Sequence, residues 1–425
     1  MAARNGKPGG GGCLVVLWAV LLCAAVLYLL WAFGLVTIKL PFRLPELPGL
    51  SGLPDLPSLI APKDDSSSAA AVDPQTDSAL HEQLETHYYV YDQLSADEQE
   101  RYRIVLDAFQ SREPREYPFE DIDELSRIRD FVTADHPEFF DLVSVNAETV
   151  TTSGLFFEDK TTTIQAVYDC DAETSQLRRQ QLEDAVTRCL AGMPAGLDDY
   201  SKAKYLYEYI ALNVSYDWGA ARALADGSEQ HLGQTAYDAL VGGQSVCGGY
   251  ARAFQYLAQR VGLECIYATG ESRGAAHAWN IVGLDGDYYH VDPTRGDPQF
   301  IADDGTSIEG EAVSYDYLCL PDQDIELTHA VNRSVPLPAC TSLADNYFVR
   351  EGADFVTPNV GQVGVLVEDA LAQGRDSVQF RCFNQDAFDQ LIYELFDNQM
   401  IYAYLPTSSC RYVVNDTLLT IHIML

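Results

Sequence analysis

Between Ala236 and Pro298 the chain carries a thiol, an imidazole and a carboxylate in the order Cys247, His277, Asp292. Those three groups are the parts of a nucleophile, its base and the residue that orients the base. The chemistry they predict is acyl transfer through a cysteine: attack on an amide carbonyl, then a thioester.

The residues around each group must place it. After Cys247 the apolar residues Tyr250, Ala253, Phe254, Leu257, Ala258 and Val261 recur at helical spacing, and Gly262 ends the pattern. A thiol opening such a helix sits at the positive end of its dipole, which favours thiolate over the ordinary cysteine pKa of ~8.5. Gly248 and Gly249 keep side chains away from the sulfur. His277 and Asp292 fall on two strand-like runs, 276–284 and 287–293, joined by Asp285–Gly286. Asp-Gly is a strong two-residue hairpin signal. It pairs Leu284 with Asp287, so Asp292 faces Trp279 and His277 is its diagonal neighbour on the same face. Diagonal positions are ~7–8 Å apart at Cα, within reach of a carboxylate–imidazole hydrogen bond.

Charge developing on the attacked oxygen needs donors. The Cys247 amide is one candidate and the side chains of Gln234 and Trp218 are others; Trp279, on the histidine's strand face, is a candidate pocket wall. His290 shares a face with Asp292 and reads either as a residue supporting that site or, equally, as a solvated residue of a tyrosine-rich strand. His231, His329 and His422 have no partners at motif spacing, and Cys265 reads as a buried strand residue. Asp303, Asp304 and Glu309 read as a solvated acidic loop, because their spacing does not fit a calcium-binding loop. No C-x-x-C occurs, so no metal is expected.

The segments GGQSVCGGYA, AAHAWN and YYHVDPT resemble the three signature segments of the transglutaminase-like superfamily, which has a papain-like cysteine-protease core. The resemblance covers roughly residues 195–300. It implies an α+β fold in which Cys247 opens a central helix packed on an antiparallel sheet that carries His277 and Asp292. Upstream, YDQLSADEQERY and DHPEFF resemble segments of exported bacterial members. Arg295 departs from the pattern, since many relatives have an aromatic after DPT.

The chain has 425 residues, with 27 basic against 63 acidic side chains and a net charge of −36. So acidic a surface repels phosphate backbones and argues against nucleic acid. Residues 1–12 read as a cytoplasmic head. Residues 13–36 carry no charge and are long enough for a transmembrane helix across a ~30 Å bilayer core. Residues 37–78, proline-rich and then polar, read as a stalk. The remainder divides into an α+β region (79–194), the catalytic domain (195–345) and a small α/β domain (346–425). Ser95 with Glu98 predicts a capping box, and residues 299–345 read as irregular. Of the ten cysteines, the seven outside both the span and position 247 have no spacing that fixes a disulfide pairing.

The expected function is therefore peptidase, amidase or cross-linking activity on a protein or peptide at the cell envelope. The chain would be anchored by its amino-terminal helix, with the catalytic domain exported and no cofactor. The alternative is a non-catalytic peptide-binding or scaffolding module that keeps the fold. Oligomeric state is not legible.

Overall fold

The computed structural model describes residues 88–119, 123–153, 158–228, 233–298 and 312–425. The proposed head, span and stalk lie outside these residues, as do His231, Asp303, Asp304 and Glu309. Among the described residues no helix is long and apolar enough to cross a membrane.

The first described region is α+β. Helices α1 (Tyr89–Asp92), α2 (Ala96–Ser111) and α3 (Asp123–Asp135) accompany a sheet of β1 (Arg115–Glu116, between α2 and α3), β2 (Leu142–Ser153) and β3 (Glu158–Tyr168), in the order β1-β3-β2. Ser95 and Glu98 close the expected capping box on α2. Beyond Asp171, which caps it, α4 (Ala172–Ala191) leads to α5 (Asp199–Asn213), capped by Asp198. Two short helices follow, α6 (Trp218–Ala225) and α7 (Ala236–Leu240), and the two-residue strands β4 (Ser215–Tyr216) and β5 (Gln244–Ser245) pair in parallel just before the proposed nucleophile.

The central unit is α8 (Cys247–Arg260) against a five-stranded sheet. In chain order its strands are β6 (Cys265–Ser272), β7 (Ala275–Leu284), β8 (Asp287–Val291), β9 (Leu318–Leu320) and β10 (His329–Val331), and in space they run β10-β6-β7-β8-β9. The apolar stripe of α8 is buried, with Tyr250, Ala253, Phe254, Leu257 and Ala258 at no more than 1% exposure. Each large side chain removed from water contributes ~1.5–3 kcal/mol. Polar groups fix the helix position as well: Gln259 donates to the carbonyl of Asp135 at 2.9 Å, and Asn280 on β7 donates to the carbonyl of Ala251 at 3.0 Å. The β7–β8 register is the expected one, from Leu284↔Asp287 to Asn280↔Val291. Its turn needs left-handed backbone at both residues, with φ of 50° at Asp285 and 93° at Gly286.

Residues 312–345 are more ordered than the sequence indicates. They contain β9, the helical turn α9 (Asp322–Ile325) and β10, which lies against the far edge of the sheet through His329↔Ser272. Elements of three or four residues are too short to show a period. The last region comprises α10 (Tyr347–Arg350), α11 (Val360–Ala372) and α12 (Gln385–Ile392), with a sheet of β11 (Asp354–Phe355), β12 (Ser377–Cys382), β13 (Arg411–Asn415) and β14 (Thr420–Met424) ordered β11-β12-β14-β13. Its side chains share one hydrophobic core with α5 and α8. It also grips the segments on either side of β9: His422 meets Asp316 at 2.9 Å and Gln379 donates to Val313 at 2.6 Å before it, and buried Arg381 pairs with Asp324 at 2.7 Å after it.

Candidate active site

Cys247 is the first residue of α8, and Val246 before it is extended and supplies no side-chain cap. The first amides of a helix lack intrahelical acceptors; here the Gly249 amide donates to the carbonyl of Val246 at 2.9 Å. The glycine at 249 is a steric necessity, because a Cβ there would stand 1.8 Å from Ser245 Oγ and 2.9 Å from the carbonyl of Thr235. Ser245 is buried and donates to the carbonyl of Gly233 at 2.6 Å, so it has no freedom to retreat. Gly249→Ala should consequently lower the melting temperature and slow Cys247 labelling together, a linkage that calorimetry and labelling rates on one preparation would check.

His277 and Asp292 meet as the hairpin register requires. His277 Nε2 lies 2.7 Å from Asp292 Oδ2, and the imidazole is also hydrogen-bonded to the Cys247 thiol. A carboxylate only accepts, so Nε2 carries a proton towards Asp292 and Nδ1 remains for the sulfur. Burial opposes ionisation of the Cys247 thiol, but His277 and the amide of Ala278, both bonded to the sulfur, outweigh it and lower its pKa. Burial likewise opposes the imidazolium, yet the charge and hydrogen bond of Asp292 prevail with help from Cys247, and His277 is raised to about 10. Asp292 is fully buried, which would raise it, but His277 and His329 hold it well below the usual carboxylate range.

His329, which had no partner at motif spacing, joins this cluster through Asp292. Its Nε2 lies 3.3 Å from the same Asp292 oxygen that His277 uses, and its Nδ1 is 2.8 Å from Thr328 Oγ1. Asp292 Oδ1 accepts the amides of Thr294 at 3.1 Å and Arg295 at 3.4 Å. All four acceptor positions of the carboxylate are thus filled. Arg295 is buried and donates to Ser272 Oγ at 3.1 Å.

The other assignments divide. Gln234 lies beside the nucleophile's helix, its side chain 3.5 Å from where a Cβ on Gly248 would be. Trp279 is fully buried within a hydrophobic core, with its ring 6.1 Å from that of His277 and inclined by 19°. It is not a donor to a reacting oxygen, because its Nε1–H is committed to His290 Nδ1 at 3.0 Å. Trp218 is 37% exposed, its ring 4.7 Å from that of Tyr216 and inclined by 59°.

His290 is buried at 1% exposure rather than solvated, and its Nε2 lies 2.9 Å from Asp322 Oδ1. His422 also has a partner, Asp316. Indole N–H only donates, so His290 must accept at Nδ1 and keep its proton on Nε2, facing Asp322. Trp279→Phe would keep an aromatic ring in the core but leave His290 Nδ1 buried and unpaired, a cost of about 1–3 kcal/mol that thermal unfolding would register.

Two groups among the described residues bring donor atoms close enough for a metal, His277/Asp292/His329 and His290/Asp322/Cys340. Protons explain both. Each imidazole nitrogen facing a carboxylate donates to it, and a cation on His290 would require an imidazolate, since Trp279 already occupies the other nitrogen. These are hydrogen-bond clusters rather than ligand spheres.

A cavity of about 640 Å³ starts at Gln234 and Tyr267, the two side chains that flank Gly248. It runs between α3 and the start of β2, past Tyr237, Phe140 and Arg252. Arg252 lies over the Tyr267 ring at 3.6 Å.

Residues 191–293 match the family model described as the Transglutaminase-like superfamily. No curated protein matches significantly. Among solved structures, one described as a TGase is 14% identical with a TM-score of 0.26, over 43% of this chain and 51% of that one. A protein described as a candidate cysteine protease of Cytophaga hutchinsonii is 15% identical with a TM-score of 0.24, covering 37% of this chain and 67% of its own. A candidate protease of Parabacteroides distasonis is 10% identical with a TM-score of 0.21, covering 35% and 37%. The chain spans about half the length of the first of these structures.

Proposed function

We propose that this chain, whose residues 191–293 form a transglutaminase-like domain, is a thiol-dependent acyl-transfer enzyme acting on peptide amides. Cys247 Sγ passes its proton to His277 Nδ1 and attacks the carbonyl carbon, and the tetrahedral adduct collapses as His277 returns that proton to the leaving amine. Water, deprotonated by His277, then adds to the thioester and releases the acid and the free thiol. Asp292 keeps the imidazole in the tautomer that points Nδ1 at the sulfur. One observation carries the reading: the nucleophile's helix start, the imidazole and the carboxylate form a single hydrogen-bonded line, with the thiol pKa pulled down at one end and the carboxyl held low at the other.

The cavity beside Gln234 favours a peptide as acyl donor. In its lining Arg178 pairs with Asp169 at 2.8 Å and Arg129 with Asp130 at 2.7 Å, while Arg252 bonds the Thr133 carbonyl and lies over Tyr267, so aromatic rings and hydrogen-bonding groups would face an extended chain. Hydrolysis is the preferred outcome because water is always present; an amine acceptor would give cross-linking instead. The discriminating experiment supplies peptide amides with and without a fluorescent primary amine. Released acid as the main product supports hydrolysis, amine incorporation supports cross-linking, and neither from folded protein would point to a binding module.

For the oxyanion we assign the Cys247 amide and the Gln234 side-chain amide. Gln234→Ala should lower kcat roughly 10²-fold with little change in KM, the usual effect of deleting one such donor. Steady-state kinetics on the two proteins decides it. The envelope location follows from residues 13–36 alone, and protease protection of a carboxy-terminal tag in intact cells tests it: survival of the tag would reverse the topology.

A further inference from the structure

His277 and His329 come from different strands and end on one oxygen of Asp292, Oδ2, at 2.7 and 3.3 Å, with their rings 5.3 Å apart. Both must donate there, because the carboxylate is ionised and its other oxygen is filled by two backbone amides. His329 is wholly buried and comes from β10, the far edge strand, rather than from the hairpin that carries the other two groups. With Nε2 donating, neutral His329 accepts at Nδ1 from the Thr328 hydroxyl, 2.8 Å away, and Tyr317 in turn bonds that hydroxyl at 3.3 Å.

We infer that His329 is a positioning residue of this site: its Nε2–H anchors the Asp292 oxygen that steers His277 and draws off part of that oxygen's charge, which sets how strongly His277 holds its proton. The inference rests on the acyl-transfer reading and deepens it. An imidazole that both takes the thiol proton and returns it to the leaving amine must not hold that proton too tightly. Asp292 with His277 alone would hold it more tightly, whereas a second donor on the same oxygen moderates the pull.

The surroundings favour a neutral His329. Burial comes first in lowering its pKa, and the charges of His277 and Arg295 act in the same direction against the pull of Asp292. The other titratable groups facing the histidine pair are Cys247 at the start of α8 and the phenols of Tyr207, Tyr216 and Tyr317. All three phenols are pushed up by burial and so remain neutral. Trp279 closes the remaining side without charge, its ring 5.0 Å from His329.

The test is the pH dependence of iodoacetamide alkylation at Cys247 in the full chain, read by mass spectrometry, together with the far-downfield proton resonance of the His277–Asp292 hydrogen bond. In His329→Leu the alkaline limb should rise by roughly one pH unit and the resonance should move. His329→Gln, which keeps an N–H donor, should stay near wild type. Thr328→Val leaves His329 in place but removes its hydroxyl partner, and should shift the limb in the same direction by less, which serves if the leucine variant does not fold. Superimposable profiles for wild type and the leucine and valine variants would overturn the inference while leaving the acyl-transfer reading intact. An ordinary, slow thiol in the wild type would instead overturn the reading beneath it.

Discussion

Cys247→Ser leaves a folded protein with no measurable turnover of peptide amides, a loss of roughly 10⁴-fold or more, as expected when the nucleophile of a cooperating set is removed. The fold should survive because the side chain is half-buried and the replacement nearly isosteric. The loss follows because a hydroxyl in this position is far harder to ionise than a thiol that His277 and the Ala278 amide already hold towards thiolate. The same contrast makes the site selective. The other seven described cysteines have thiols pushed up, chiefly by burial, to about 11 at Cys170 and about 12 at Cys189 and Cys382, and upward also at Cys265, Cys319, Cys340 and Cys410. Brief alkylation near neutral pH should therefore modify Cys247 ahead of every other described cysteine. Peptide mapping after a limiting dose of reagent checks this, and equal labelling at Cys170 or Cys410 would contradict it.

Asp292→Asn should be nearly as damaging, for a different reason. The new side chain can still accept the amides of Thr294 and Arg295 through its oxygen, but its NH₂ then faces two imidazole nitrogens that now donate. His277 must change tautomer, placing Nδ1–H against the thiol and leaving no base. The corresponding change in a serine triad costs about 10⁴-fold in kcat, and a similar loss is expected here. The pH profile should change in a defined direction. His277 is raised in the folded state to about 10, so its charged form contributes stability that is fully present below the ordinary histidine value of ~6.5 and is lost as pH rises through about 10. Without the carboxylate, burial dominates and the imidazolium should disappear below ~6.5. Thermal unfolding across pH 6–10 should show wild type losing stability towards the alkaline end and Asp292→Asn showing no such fall.

Local signals carried much of this site. The Asp285–Gly286 turn fixed a hairpin register in which His277 and Asp292 had to be neighbours, and the stripe from Tyr250 to Ala258 identified α8 and so the position of the thiol. What was not legible depends on long-range pairing. His329 reaches Asp292 only because a three-residue strand is laid on the far edge of the sheet, beyond a segment with no period of its own. The tyrosine-rich strand left His290 open between a supporting and a solvated residue; its partner Asp322 lies 32 residues further on. Strand alternation placed Trp279 on the face of His277, but its indole proton is spent on His290, a commitment that alternation cannot reveal. The helix α3 was not identified from the sequence, although its last residues supply the carbonyls that hold Gln255 and Gln259 of α8.

The most direct measurement is the second-order rate of Cys247 alkylation at pH 7 in wild type and His277→Ala. An imidazole-paired thiolate should react about tenfold or more faster than a free cysteine of pKa ~8.5, and the alanine variant should fall to or below that reference. A wild-type rate no faster than free cysteine and unaffected by removing His277 would show that the two side chains do not cooperate, and the assignment of acyl transfer would fail with it.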